Sequence, residues 1–341
     1  MTKRKIYFRA DGNTDIGLGH VIRSLALADM LKVEFECVFA TRFVNEYIIA
    51  EIEKSCSSYI KLSEKDKEHF EEFLTYIKEE DTVVLDNYFI TTEYQKQIKG
   101  KGCKLVCIDD MHNKHYVADM VINHAPELRE NQFSVEPYTR FALGPKYAML
   151  RPKFIEASKK SKTIDKISNV FVSFGGADFY DLTNKCIKGI INLENIQKIN
   201  VVIGSAYKHS EIYSTIKGFE DKVVIHKKLS ESQMITLMNE CQLGIVPSST
   251  ISYEVCSVKM VVLGGYYIEN QINIYNGLKT SELIYCGGDF NTYTPEIFYD
   301  KVLDILNDNP INYKNKIDRQ SRLFDGKQNK RILSLILNQN E

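Results

Sequence analysis

Near the start of the chain, Arg9-Ala10-Asp11-Gly12-Asn13-Thr14-Asp15-Ile16-Gly17-Leu18-Gly19-His20 places an imidazole beside acids, a carboxamide and paired glycines. Imidazole is the side chain best matched to proton transfer near neutral pH. The apolar, β-prone run Ile6-Tyr7-Phe8 precedes this stretch. Val21, Leu25 and Ala28, with Ile22 beside them, follow at helical spacing. His20 is therefore expected in the first turn of a helix that begins where a strand ends, the place where open α/β sheets bind ligands. A helix N-terminus disfavours imidazolium, so the ring there is expected to be neutral and able to accept a proton. Such a histidine can equally be a cap or a packed ring, and a Gly-x-Gly a tight turn.

Other residues could share that chemistry. Asp86 and Tyr88 follow the buried-looking run Thr82-Val83-Val84-Leu85 and should reach the same rim as His20, with polar groups suited to a hydroxylated ligand. Glycine loops between strand and helix present free N–H groups to phosphates. Gly17-Leu18-Gly19 and Gly175-Gly176 are two such loops. The first is not a dinucleotide fingerprint, because Ile22 stands where the third glycine would fall, and no Gly-Lys-Ser/Thr follows for a P-loop. A third phosphate candidate is Pro247-Ser248-Ser249-Thr250, with Glu254 one turn further on placed to grip ribose hydroxyls. The same residues also fit an N-cap with a capping-box acid. Asp109-Asp110-Met111-His112-Asn113-Lys114-His115 has metal-ligand residue types, but in a loop after a strand with no fixed geometry. No metal site and no cofactor is expected.

The elements that must position these groups alternate. Strands are expected at 36–40, 81–85, 104–108 and 120–122, the last of the first half, with helices at 44–54, 65–78 and 93–98 between them. Short buried runs separated by helices imply a parallel sheet covered on both faces. Leu143 to Pro152 is loop-like, Ser158-Lys159-Lys160-Ser161-Lys162 is a polar linker, and the pattern then restarts. Strands follow at 169–174, 199–204, 223–225, 243–246 and 260–263, with helices at 182–191, 233–239 and 252–256 and another opened by Glu269-Asn270-Gln271. This predicts domains over 1–157 and 158–325 with a cleft between them, and a last helix within 326–341 that packs back on the first domain.

The 341-residue length suits two domains, and 44% hydrophobic with 26% charged residues is ordinary for a globular protein. A formal net charge of −1 gives no electrostatic case for nucleic acid or an anionic membrane. No apolar run approaches the roughly 20 residues of a membrane span, and Ile6-Tyr7-Phe8 is too short for a signal-peptide core. A cytoplasmic enzyme is the expectation, and a monomer fits the size. The eight cysteines lack zinc-ribbon spacing and read as reduced, small apolar residues.

Together the motifs resemble the family of UDP-2,4-diacetamido-2,4,6-trideoxy-β-L-altropyranose hydrolases of bacterial pseudaminic acid biosynthesis. The resemblance rests on Arg9-Ala10-Asp11-Gly12-Asn13 through Ile16-Gly17-x-Gly19-His20-x-x-Arg23-x-Leu25-x-Leu27-Ala28, then Asp86-x-Tyr88 and Ile108-Asp109-Asp110. It continues through Leu143-Gly144-Pro145-x-Tyr147-Ala148-x-Leu150-Arg151, Phe174-Gly175-Gly176-Ala177-Asp178, Asn270-Gln271 and Phe324-Asp325-Gly326. It implies the GT-B fold, two Rossmann-like domains with parallel sheets facing across a cleft, and metal-independent, inverting hydrolysis to UDP and free sugar. The family's catalytic histidine maps onto His20 and its active-site tyrosine onto Tyr88. Arg9, Asp11, Gly17, Gly19, Asp86 and Arg151 are implied contacts of the substrate. Gly175, Gly176, Ser249, Thr250, Glu254, Asn270 and Gln271 are implied to hold UDP. The chain departs from the family at Val246-Pro247-Ser248-Ser249, where relatives carry glycines, and at Gly12-Asn13, more often Ala-Ser.

Two rival functions fit the same residues. A glycosyltransferase would pass the sugar to an acceptor hydroxyl, and a silent UDP-sugar-binding protein would turn nothing over. The fate of the sugar separates them.

Overall fold

The computed structural model describes residues 3–13, 18–204 and 206–337. The chain divides into two compact units, Met1–Pro152 with Lys327–Glu341, and Lys153–Gly326. The first contains β1 (Arg4–Ala10), α1 (Gly19–Leu31), β2 (Phe35–Thr41), α2 (Glu46–Ser55), β3 (Ser58–Lys61), α3 (Glu68–Tyr76), β4 (Thr82–Asp86), α4 (Thr92–Gly100), β5 (Lys104–Ile108), β6 (His115–Tyr116), β7 (Met120–Asn123), β8 (Ser134–Val135) and β9 (Arg140–Leu143). Two-residue β6 and β8 pair with each other, and the other strands form one parallel sheet in the order β3-β2-β1-β4-β5-β7-β9. Val83, Val84 and Leu85 in β4 are all buried, as expected of a strand covered on both faces. The strand order reverses at β1, whose Ala10 pairs with Asp86, the last residue of β4. That reversal is the topological switch point where such sheets hold ligands.

In the second unit, α5 (Pro152–Ser158) leads into β10 (Asn169–Val172), α6 (Leu182–Ile190), β11 (Lys198–Ile203), α7 (Glu211–Thr215), β12 (Val223–Lys227), α8 (Glu231–Glu240), β13 (Leu243–Pro247), α9 (Thr250–Ser257), β14 (Val261–Tyr266), α10 (Ile272–Thr280), β15 (Tyr285–Asp289), α11 (Pro295–Leu306) and α12 (Pro310–Leu323). Its parallel sheet runs β12-β11-β10-β13-β14-β15, with the switch point between β10 and β13. Phe174, directly after β10, sits in an aromatic cluster with Phe290 and Phe298 at ring distances of 5.3 and 6.0 Å. Burying a side chain of this size contributes about 1.5–3 kcal/mol, and here it anchors the start of the Gly175 turn.

The final helix, α13 (Gln328–Leu337), belongs to the first unit and packs on α1. This explains a departure from the single apolar face expected of α1. Ten of its residues are buried, including Arg23, Ser24 and Ala26, because α2, α13 and the sheet cover it from different sides. The sheet also continues beyond Met120-Val121-Ile122, expected as its last strand: β9 pairs with β7. β15 escapes sequence reading because Cys286-Gly287-Gly288 breaks the β-branched pattern. Both glycines fit their places: a Cβ on Gly287 would lie 2.8 Å from the Phe290 ring and 3.0 Å from the Gly264 carbonyl oxygen, and Gly288 takes φ 72°. Cysteines 37, 56, 103, 107, 186, 241 and 256 are buried free thiols, whereas Cys286 is exposed and so departs from the expected buried pattern. Among the described residues no helix is long and apolar enough to cross a membrane.

Candidate active site

His20 is the second residue of α1, and its first turn abuts the end of β4. Its Nδ1 lies 2.7 Å from Asp86 Oδ1. Burial raises the proton affinity of Asp86, but Arg23, foremost, and His20 outweigh it, so the carboxyl stays far below its usual range. Nδ1 faces the Asp86 carboxylate, which only accepts, at 2.7 Å and Arg23 Nη2, which only donates, at 3.1 Å; the shorter Asp86 contact assigns the neutral ring its proton on Nδ1 and leaves the Nε2 lone pair open. No described residue hydrogen-bonds Nε2.

Arg23, one turn further along α1, locks the acid in place. Its Nε donates to Asp86 Oδ2 at 2.7 Å and its Nη2 to Oδ1 at 2.6 Å. Ser24 Oγ adds a 3.0 Å bond to Oδ2. The other edge of the guanidinium donates from Nη1 to both oxygens of Asp110, at 2.7 and 2.8 Å. Burial opposes the charge on Arg23, yet Asp110 and Asp86 together raise its proton affinity well above normal. The Asp110 carboxyl, pushed up by burial, is pulled lower still by Arg23. Tyr88, nearly half exposed, stands edge-on to His20 with ring centroids 4.6 Å apart, and its hydroxyl donates to Asp110 Oδ2 at 3.1 Å.

Three expected substrate contacts take other places. Asp86 is wholly buried and its oxygens are filled by His20, Arg23 and Ser24, so it holds the imidazole and offers no edge to a ligand. Arg9 and Asp11 are also buried, bonded to each other at 2.6 and 3.0 Å. Arg42 Nε and backbone N–H and the Thr41 hydroxyl complete the shell of Asp11. Burial raises Asp11, but Arg9 and Arg42 overcome it and lower its pKa. His69 Nδ1 accepts from Arg9 at 3.1 Å; burial and the two arginines bring its pKa down to about 4. The Asp11 N–H donates to Asn87 Oδ1 at 3.3 Å, which ties the residue after β1 to the turn after β4. Gly19 is exposed with nothing within 4 Å of where a Cβ would stand, so a ligand can approach its backbone. Gly17 lies outside the described residues. Arg151 is half-buried and follows the short turn Pro145–Tyr147.

Asp109 binds its own loop, accepting from the Met111 and His112 N–H groups, Tyr116 and Asn123. His115 contacts Ser134 and Glu136. The two ends of that acid–histidine stretch therefore serve different partners.

In the second unit the expected nucleotide residues gather at the carboxyl ends of three adjacent strands. Gly175 takes φ 90°, and Gly176 is exposed with open space around it. Asp178 accepts the Leu182 and Thr183 N–H groups at 2.9 and 2.8 Å, capping α6 behind the turn. Tyr267 links the loops after β14 and β10, its hydroxyl donating to the Phe174 carbonyl at 3.0 Å and its N–H to Gln271 Oε1 at 3.0 Å. Gln271 is buried and Asn270 half-buried. At the start of α9, Ser249 makes no side-chain cap bond, so the capping box does not form. The fully buried Ser248 Oγ has no hydrogen-bond partner among the described residues. Glu254 is buried one turn along α9. Glycines, hydroxyls and a helix start thus flank the switch point, an arrangement suited to a diphosphate.

Arg42 and Tyr267 are components that sequence reading did not single out, while Arg23 entered only as a motif position and Asp110 as part of the acid–histidine stretch. Arg23 carried a signal, being three residues after His20 and hence on the same helical side.

The crystal structure of Acinetobacter baumannii MurG superposes with a TM-score of 0.64 at 13% identity, covering 98% of this chain and 99% of that one. Phytolacca americana UGT2, complexed with UDP-2-fluoroglucose and pterostilbene, gives 0.66 at 10% identity over all of both chains. The fold is GT-B. Among curated proteins, the chain is 29% identical over 287 residues to the uncharacterized protein MJ1062 of Methanocaldococcus jannaschii, covering 80% of this chain and 57% of that protein, just over half its length. It is 25% identical over 276 residues to the Campylobacter jejuni UDP-2,4-diacetamido-2,4,6-trideoxy-β-L-altropyranose hydrolase, 78% of this chain and 93% of that one. It is 27% identical over 270 residues to the Bacillus subtilis spore coat polysaccharide biosynthesis protein SpsG, 77% of each chain. No protein-family model matches.

Proposed function

We propose that the chain hydrolyses a UDP-linked amino sugar at its anomeric carbon, releasing UDP and free sugar. Within that class, the similarity to the Campylobacter hydrolase favours UDP-2,4-diacetamido-2,4,6-trideoxy-β-L-altropyranose as substrate. The observation carrying this reading is His20 held by Asp86 through Nδ1, which leaves Nε2 as a base.

Water supplies the nucleophile. As its oxygen bonds to the anomeric carbon, a proton passes to His20 Nε2, and the bond from that carbon to the diphosphate oxygen breaks with its electron pair leaving on UDP. Attack opposite the leaving group inverts the configuration. A positioned base of this kind is worth about 10² to 10⁴ in rate. Asp86 fixes the ring tautomer and stabilises the imidazolium formed, the role a buried acid plays behind a histidine base. Tyr88 directs its own proton at Asp110, so its oxygen is offered to the substrate as an acceptor. In the second unit, the N–H groups of the Gly175-Gly176 turn and the start of α9 take the diphosphate charge, with Ser249 and Thr250 hydroxyls beside them. The reading assigns no step to a metal, and turnover after chelation tests that.

A UDP-sugar glycosyltransferase is the second reading, favoured by the GT-B likeness to MurG and UGT2. Product analysis separates the two. Free sugar appearing in step with UDP supports hydrolysis, and sugar found only on an acceptor supports transfer.

A further inference from the structure

We propose that Asp110 is a positioning residue that ties Tyr88 to the His20–Asp86 pair through Arg23, so that acceptor and base are set by one shared ion network. This rests on the reading of His20 as the base.

The chain of contacts is continuous. Tyr88 Oη donates to Asp110 Oδ2 at 3.1 Å, Arg23 Nη1 donates to the same carboxylate at 2.7 and 2.8 Å, Arg23 Nε and Nη2 donate to Asp86 at 2.7 and 2.6 Å, and Asp86 meets His20 Nδ1 at 2.7 Å. Four segments contribute: α1, the end of β4, the turn after β4 and the turn after β5. β4 lies directly beside β5 in the sheet, which brings Asp86 and Asp110 to one rim and lets a single planar guanidinium bridge them. Arginine suits this place because its fork serves two carboxylates at once, which an ammonium cannot match.

The network also sets the charge facing the imidazole. With both carboxylates ionised and Arg23 protonated, Asp86, Arg23 and Asp110 sum to one negative charge. Among the described residues, Tyr88, a phenol, and the buried His124, whose pKa burial and Arg23 bring down to about 4, are further ionisable neighbours. Asp86, in contact with the ring, is the nearer support for imidazolium during turnover, and Asp110 adds to it by offsetting the Arg23 charge that bridges them. Replacing Asp110 by asparagine takes that sum to zero and leaves a single neutral oxygen to accept from both Tyr88 and Arg23, weakening the hold on each.

The experiment uses the full chain and the variants Asp110→Asn, Tyr88→Phe and their combination. Tyr88 is nearly half exposed, so its variant tests the link even if Asp110→Asn folds poorly. The expected result for Asp110→Asn is a kcat at least tenfold lower, with KM within about threefold and UDP binding by calorimetry unchanged. Side-chain nitrogen NMR should show the His20 ring titrating at lower pH than in the parent, while Tyr88→Phe leaves that titration in place. The double variant should fall short of the product of the two single effects, because both changes act on one chain of contacts. Wild-type kcat and an unmoved His20 titration in folded Asp110→Asn would overturn the proposal, as would full additivity in the double variant. If the parent releases UDP from no UDP-sugar, the hydrolase reading fails, and the NMR arm still decides the coupling.

Discussion

Asp86 Oδ1 lies 2.7 Å from His20 Nδ1, while Asp86 itself has no exposed surface. An acid at the tip of β4 is thereby turned inward, and the reactive edge of the site falls to the ring it holds. Asp86→Asn keeps the shape but leaves Arg23 with half its counter-charge in a buried place. Breaking such a pair costs roughly 3–5 kcal/mol. Denaturant unfolding should show a loss of that size, together with a fall in kcat larger than any change in UDP affinity. An unaltered unfolding midpoint would show that Asp86 is not the anchor of this network.

Acid sensitivity should come in two stages. His69 and His124 are buried, and burial with Arg9 for one and Arg23 for the other lowers each pKa from 6.5 to about 4. A depressed histidine stabilises the fold fully above its unfolded value of about 6.5, and that contribution is lost as pH falls towards 4. Asp11, Asp86 and Asp110 are held below their ordinary value despite burial, chiefly by arginine. Their contribution is present above about pH 4 and is lost below it. Melting temperature should therefore decline from about pH 6.5 downward and steepen below about 4. His69→Asn should flatten the first stage, and a curve identical to the parent's would contradict this assignment.

Ser249 stands at the N-cap of α9 without capping it. A working serine cap is worth about 1 kcal/mol. Ser249→Ala should accordingly change unfolding stability by less than about 0.5 kcal/mol, while UDP affinity measured by calorimetry falls tenfold or more. The opposite pattern would make Ser249 a structural cap.

Gly204 follows β11 against the glycine turn. A Cβ there would lie 2.4 Å from the Gly176 carbonyl oxygen and 2.5 Å from its Cα. Backbone cannot yield as a flexible side chain does, so Gly204→Ala should push the turn out of place at a cost of about 1–3 kcal/mol. UDP affinity should drop with it, whereas the Asp110→Asn phenotype in the first unit should be unchanged. Unaltered UDP binding would remove Gly175-Gly176 from the nucleotide site.

The sequence made the alternating α/β pattern, the strand-end loops and the position of His20 readable because each is a local signal. Strand β4 reads as an unbroken apolar run, and α1 as a repeat of Val21, Leu25 and Ala28. What stayed hidden depends on neighbours distant in the chain. Asp86 looked like a ligand contact until Arg23 and Ser24 filled its oxygens, and Arg9 and Asp11 until they were found to bind each other. Asp110 looked like part of an acid–histidine cluster, yet its partner lies 87 positions earlier. Edge strand β9 and glycine-broken β15 were missed because short or glycine-containing strands carry little periodicity.

Whether His20 is the base is decided by UDP release from a panel of UDP-diacetamido sugars by the parent and by His20→Asn, with UDP binding measured on both. The parent should release UDP and free sugar in equal amounts, with turnover lower by about 10² to 10⁴ in the variant and UDP affinity the same within a few-fold. Full activity in His20→Asn, or sugar recovered only on an acceptor, would contradict this mechanism.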